Sequence, residues 1–311
     1  MHIVSKRDSG LGDMLSNLTH CLWLADNINA KVYVDWRATL YHDAKNAKIN
    51  FFPEFFHLDV DYPIESVDEI HSDAIVLPYG SGLLKKKNAR NLVEPQIFET
   101  FGLTGKCPKF DVFVSTRSID FLPQSLAFEY LRSIRIADEI KRECDQYLSN
   151  IRAQQSKIYG VHIRHGNGEL YEVGGDNEKL LFERYLAAIN EIKVKDPSAA
   201  FFLFTDSQAV VRWFEEKVGT PYKNMDVRYP KTIGEPMHFN TYANLFGYDI
   251  LKWAVQDMYY MSKLDGLIYD SWSSYTRWPR ANASQLLNEN LYVVNPPRIS
   301  MPEVKKEIIY E

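Results

Sequence analysis

Cysteine is scarce in this chain: three residues, Cys21, Cys107 and Cys144, stand far apart and never form C-x-x-C. That argues against a disulfide framework or a zinc knuckle and leads to the expectation of a reducing, cytoplasmic compartment. No run approaches the roughly 18 uninterrupted apolar residues of a membrane span. Met1-His2-Ile3 leads directly into Lys6-Arg7-Asp8, so neither an anchor nor a signal peptide is expected. Positive charge is not in excess either. Thirty-six Lys and Arg against 41 Asp and Glu leave a net −5, too little positive field to hold a nucleic-acid backbone. The sequence contains no H-E-x-x-H, P-loop or G-x-S-x-G, and its eight histidines do not cluster at ligand spacing, so metal, nucleotide-hydrolysis and serine chemistry lose support. Asp59-Val60-Asp61 has the spacing of a two-carboxylate metal motif, but no strand precedes it and chance matches are common. No metal and no cofactor are expected.

What is present is an ordinary globular balance, 45% apolar and 25% charged residues over 311 positions. A chain of this length normally divides its core in two. Short β-branched runs alternate with segments of helical spacing, the pattern of a parallel sheet with crossover helices, and the expected class is α/β. Strands are predicted at His2 to Ser5, Lys31 to Trp36, Ala74 to Leu77 and Asp111 to Ser115, with a helix from Met14 to Ala25 and a partly helical connection from Asn88 to Thr100. A helical region from Ser125 to Gln155 ends in the polar run Arg152-Ala153-Gln154-Gln155-Ser156. The domain boundary is placed there, giving residues 1–150 and 151–311. The alternation then restarts with a strand at Ile158 to Ile163, a helix at Lys179 to Ile192 and a strand at Ala200 to Phe204. A helix from Tyr248 to Lys263 and strands at Gly266 to Tyr269 and Leu291 to Val294 follow. Two such units imply a cleft, and open parallel sheets bind ligands at the carboxyl ends of their strands.

The segment Gly160-Val161-His162-Ile163-Arg164-His165-Gly166-Asn167-Gly168-Glu169 starts as a buried strand and ends as a polar, glycine-bearing loop. Arg164 can offer its planar fork to two phosphate oxygens, His165 a further donor, and the glycines a close approach of backbone N–H groups. The bland alternative is a surface loop with a paired Arg and a satisfied His, Glu169, Glu172, Asp176 and Glu178 being possible partners. The turn Gly10-Leu11-Gly12-Asp13 passes from strand to helix and can bring backbone close to a ligand. Leu15 occupies the position where a dinucleotide fingerprint needs its third glycine, which disfavours a nicotinamide or flavin enzyme. Asp257 sits in the aromatic helix Trp253 to Met261 and needs a partner there. Asp270-Ser271-Trp272-Ser273-Ser274-Tyr275-Thr276-Arg277 places hydroxyls and an arginine after a strand, suited either to an anion or to plain helix capping.

Together these segments resemble the α1,6-fucosyltransferases, most of all those of rhizobial nodulation. The resemblance spans nearly the whole chain. It is carried by Ser5-Lys6-Arg7, Gly10-Leu11-Gly12-Asp13, Val34-Asp35-Trp36-Arg37, Phe52-Pro53-Glu54-Phe55-Phe56 and, most specifically, Gly160 to Glu169. Thr205-Asp206-Ser207, Pro236-Met237-His238, Asp257-Met258-Tyr259 and the serine segment ending in Arg277 follow in family order. The resemblance implies a GT-B fold of two facing Rossmann-like domains, an acceptor-side domain followed by one that binds GDP-fucose, and no metal requirement. It implies Arg164 as the cation for the leaving diphosphate, with Glu169 or Glu172 as the base. His165, Asn167, Asp206, His238, Asp257, Ser273 and Ser274 would contact the donor, together with Gly10, Gly12 and Arg277.

The expected activity is inverting transfer of L-fucose from GDP-fucose to a glycan hydroxyl, the 6-hydroxyl of N-acetylglucosamine in particular. The acceptor would be an oligosaccharide, a glycolipid or a lipopolysaccharide. Two rivals remain: a transferase of the same fold using another nucleotide sugar, and a non-catalytic glycan- or nucleotide-binding module.

Overall fold

The computed structural model describes residues 2–43, 45–59, 74–77, 112–115, 122–165, 174–224, 227, 229 and 240–296. Its strands are β1 His2–Ser5, β2 Lys31–Val34, β3 Phe56–Leu58, β4 Ala74–Leu77, β5 Val112–Ser115, β6 Ile134–Ile136, β7 Ile158–Ile163, β8 Ala200–Thr205, β9 Gly266–Asp270 and β10 Leu291–Val294. Nine α-helices are found among the described residues. They are α1 Leu11–Ile28, α2 Phe52–Phe55, α3 Gln124–Ser133, α4 Asp138–Arg152, α5 Asp176–Lys195, α6 Gln208–Lys217, α7 Asn240–Lys263, α8 Arg277–Ala281 and α9 Gln285–Glu289. The predicted connection from Asn88 to Thr100 lies outside the described residues.

Two compact units emerge. The first comprises Met1–Asn150, His238–Lys263 and Ser274–Gln285, and the second Ile151–Met237, Leu264–Ser273 and Leu286–Glu311. The expected divide after residue 150 is where the first long segment ends, but 151–311 is not one unit. The physical reason lies in α7, whose aromatic positions have their partners in the first half. Tyr248 packs its ring 5.4 Å from Phe51 and 5.1 Å from Phe55, and Tyr260 lies 5.8 Å from Tyr147. Gly247 lies against the backbone of Tyr41 so closely that a Cβ there would collide with the Tyr41 carbonyl.

In the first unit four parallel strands are ordered β2-β1-β5-β4. Helix α1 buries Leu11, Leu15, Leu18, Leu22 and Ala25, a stripe at helical spacing that covers the sheet. Its polar centre is satisfied internally: Ser5 donates to Asn17 Oδ1 at 2.6 Å, and Asn17 Nδ2 donates to Ser115 Oγ at 2.8 Å, tying the helix to β1 and β5. The helix ends on Asn29 in the left-handed region, φ 49°, a conformation Asn tolerates. A small antiparallel pair, β3 with β6, interrupts the stretch expected to be helical from Ser125 to Gln155. Ile134-Arg135-Ile136 alternates as a strand does but is three residues long, too short to stand out against the helical spacing on either side.

In the second unit the parallel order is β10-β9-β7-β8. All six residues of β7 are buried. Leu181, Tyr185, Ile189 and Ile192 line one face of α5 and are 0–1% exposed in the core, each contributing about 1.5–3 kcal/mol by burial. Cys21 and Cys144 are buried and free. Among the described residues no helix is long and apolar enough to cross a membrane.

Candidate functional site

β7 is the pivot of the second sheet. The chain leaves it toward β8 on one side, and β9 lies on the other, so the carboxyl end between β7 and β9 is the point at which an open α/β sheet takes its ligand. Arg164 and His165 follow directly from β7, Asp206 and Ser207 from β8, and Asp270 ends β9.

His165 is buried, 4% exposed. Its backbone N–H donates to Asp206 Oδ1 at 2.8 Å, its Nδ1 lies 3.0 Å from Ser207 Oγ, and its Nε2 lies 2.5 Å from Glu178 Oε1. Beside an ionised carboxylate, which only accepts, the tautomer that fits is the one with its proton on Nε2. The ring also stacks on Phe182 at 5.6 Å. Both ring nitrogens thus bond within the unit, which is the satisfied histidine of the bland alternative, with Glu178 as one partner. Ser207 holds the N-cap position of α6 yet makes no side-chain cap; its hydroxyl serves His165 instead.

Arg164 is partly buried. Its positive charge opposes protonation of His162 and favours the ionised form of Asp270. Burial nevertheless pushes the Asp270 carboxyl above the usual carboxylate range, against the pull of the Trp272 N–H, which it accepts at 2.6 Å, and of Arg164. His162, inside β7, is held down to about 4 by burial, with Arg164 adding to the effect and Asp206 opposing it. Ser273 is buried, and its N–H donates to the Asp270 carbonyl. Glu169, Glu172, Asn167 and His238 lie outside the described residues.

The first unit holds the remaining described candidates, Gly10, Gly12, Ser274 and Arg277 at the start of α1 and Asp257 on α7. Gly10 accepts the N–H groups of Asp13 and Met14. Gly12 faces the backbone of Ser274 and Tyr275, where a Cβ would stand 2.5 Å from the Tyr275 nitrogen. Packing between chain segments therefore requires a glycine here. Ser274 donates to Asp13 Oδ1 at 2.8 Å, and Arg277 Nη1 reaches Ser16 Oγ at 3.4 Å. Neither serine caps α8, whose N-cap is Thr276 without a side-chain bond. Asp257 lies on α7 in this unit, where its charge helps raise Cys144 and Tyr260, both shifted chiefly by burial. Asp257, Ser274 and Arg277 therefore belong to the first unit and not with the 151–311 half, as the contiguous division had it.

Asp35, part of the segment Val34-Asp35-Trp36-Arg37, was not among the expected site residues. It is buried and bonded to Lys6 Nζ at 2.8 Å and Arg37 Nε at 2.8 Å; burial raises its carboxyl, but those two cations outweigh it and hold it below the usual range. Its signal was its position directly after β2, at the carboxyl edge of the first sheet. Among the described residues no group of His, Cys, Asp and Glu is arranged to hold a metal ion.

Nodulation protein Z of Azorhizobium caulinodans is 26% identical over 306 residues, covering 89% of this chain and 88% of that protein. Its counterpart in Bradyrhizobium diazoefficiens is 25% identical, covering 93% and 81%. The crystal structure of the fucosyltransferase NodZ from Bradyrhizobium superposes with a TM-score of 0.65 at 20% identity over 92% of each chain. POFUT1 in complex with GDP-fucose gives 0.57 at 11% identity over 94% of this chain and 97% of that one. At such identities the structures establish the fold, which is α/β of the GT-B class. The family model for nodulation protein Z (NodZ) matches residues 119–307 and so includes β7, Arg164 and the whole second sheet; on that match over more than half its length, the chain belongs to the NodZ family.

Proposed function

We propose that the chain is an inverting α1,6-fucosyltransferase that moves L-fucose from GDP-fucose to the 6-hydroxyl of an N-acetylglucosamine residue. The acceptor would be an oligosaccharide, a glycolipid or a lipopolysaccharide. NodZ structures soaked with GDP-fucose and co-crystallized with GDP support a guanine-nucleotide donor. The observation that carries the reading is Arg164, a guanidinium at the carboxyl end of the central strand of the second sheet, inside the family match. In the transfer a carboxylate, Glu169 or Glu172, takes the proton of the acceptor hydroxyl. The acceptor oxygen bonds to C1 of fucose, and the bond from C1 to the diphosphate breaks with its electron pair leaving on GDP. Arg164 faces that growing charge with a fixed bidentate donor, which stabilises the transition state more than the bound donor. The reaction then needs no metal. The buried free thiols of Cys21 and Cys144 are compatible with work in the reducing cytoplasm.

Turnover of GDP-fucose with chitooligosaccharides and with lipopolysaccharide fragments, followed by GDP release, tests the activity and the acceptor together. Arg164→Ala should fold and lose about 10²–10³ in kcat, the usual cost of removing one donor to a developing anion. Undiminished activity in that variant, or tighter binding of UDP than of GDP, overturns the assignment. Excess EDTA should leave the rate unchanged; a rate restored only by manganese would refute the metal-independent route.

A further inference from the structure

Within the second unit one carboxylate does an unusual amount of joining. Glu178 stands in the first turn of α5 and is 8% exposed. Its Oε1 accepts a hydrogen bond from His165 Nε2, and its Oε2 accepts the backbone N–H of Gly174 at 2.5 Å. The two residues it holds flank the stretch 166–173, in which Glu169 and Glu172 stand. His165 is in turn fixed from the other side by Ser207 and through its backbone by Asp206, both at the end of β8. Every polar atom of His165 named here is thus spent inside the unit, and what it determines is the path of the backbone immediately after Arg164.

We propose that Glu178 is a positioning residue of the transferase, acting through His165 to hold the backbone that presents Arg164. The inference rests on the fucosyltransferase reading for its catalytic consequence, but not for the clasp itself. A buried carboxylate bonded to an imidazole at 2.5 Å and to an amide would be an expensive way to add stability alone, since burying a polar network is seldom better than apolar packing. It is a good way to fix a direction, because both partners lie outside the regular elements, His165 directly after β7 and Gly174 just before α5.

The test uses the full chain. In Glu178→Ala, amide exchange read residue by residue should lose at least about tenfold protection at His165 and Gly174, while β7 keeps its own. With GDP-fucose, kcat should fall by about 10–100-fold with a smaller change in KM, since a misplaced cation costs the transition state more than binding. Glu178→Gln, which retains an acceptor for His165, should recover part of the loss. In an Arg164→Ala background Glu178→Ala should cost almost nothing further, because the group it positions is gone. Unchanged protection, undiminished kcat in a folded Glu178→Ala chain, or a full additional loss in the double variant overturns the proposal. If the wild-type chain transfers no fucose, the functional reading fails on that result alone, and exchange at His165 and Gly174 still decides the clasp.

Discussion

Gly12 has a packing role that Gly10 lacks. A Cβ at this position would meet the backbone of Tyr275 at 2.5 Å, whereas one at Gly10 would meet nothing within 4 Å. Gly12→Ala should therefore destabilise the first unit by about 1–3 kcal/mol, the usual range for overpacking against backbone that cannot retreat. Gly10→Ala should cost under about 1 kcal/mol, through its poorer N-cap alone; urea midpoints of the two variants compare them directly. The histidines set the acid limit. His162 falls from the ordinary 6.5 to about 4 and His20 to about 3, both mainly by burial, with Arg277 and Arg7 adding to the effect at His20. Each is neutral in the fold and binds a proton more readily when unfolded, so the stability it contributes is complete above pH 6.5 and is lost as the pH falls toward its folded value. Between pH 7 and pH 5 each unit should lose about 2 kcal/mol. Urea unfolding at the two pH values checks this, and His162→Asn should remove the share of the second unit. At this scale the place of Arg164, directly after the buried strand β7, was legible in the sequence. The partners of His165 were less so: Glu178 stood among several acidic candidates, and Ser207, at the N-cap of α6, turns its hydroxyl to the imidazole.

Strands were legible where the run was four residues or longer, whether buried as β7 is or half-exposed as β10 is. β7, buried along its length, and β8, buried in its four central residues, lie at the expected positions, β8 running one residue further to Thr205. β6 escaped notice because three residues give no periodicity. The start of β7 depends on an element boundary rather than on its own sequence. Asp265, in the turn before β9, accepts the Ile158 N–H at 2.8 Å and Arg152 Nη1 at 2.8 Å, and its own N–H donates to the Ile158 carbonyl at 2.9 Å. Asp265→Ala removes the acceptor of a buried amide and leaves the arginine without this counter-ion. A loss of about 2 kcal/mol is expected, the range for an unsatisfied buried group with a partly solvated ion pair. Thermal unfolding of Asp265→Ala beside Asp265→Asn, which keeps one oxygen, measures the charge and the hydrogen bond separately.

For the whole molecule the sequence indicated two α/β units but not their membership, since periodicity reports an element's apolar face and not the partner it finds. Helix α7 reads as amphipathic and aromatic, yet nothing in Tyr248 or Tyr260 says that Phe51, Phe55 and Tyr147 await them. A fragment of residues 151–311 should accordingly fail to fold as a soluble monomer, because α7 would expose the face that the first 150 residues cover. Co-expression with residues 1–150 should rescue it, as judged by co-purification and by the circular dichroism of the pair. Membership also bears on the thiols. Cys21, Cys107 and Cys144 all fall within the first unit, and burial pushes both Cys21 and Cys144 up to about 12. A closed first unit therefore offers an alkylating reagent no thiolate at these two positions. The rate at which they become labelled is a clock for the opening of that half of the protein alone, running while its cysteine-free companion stays silent.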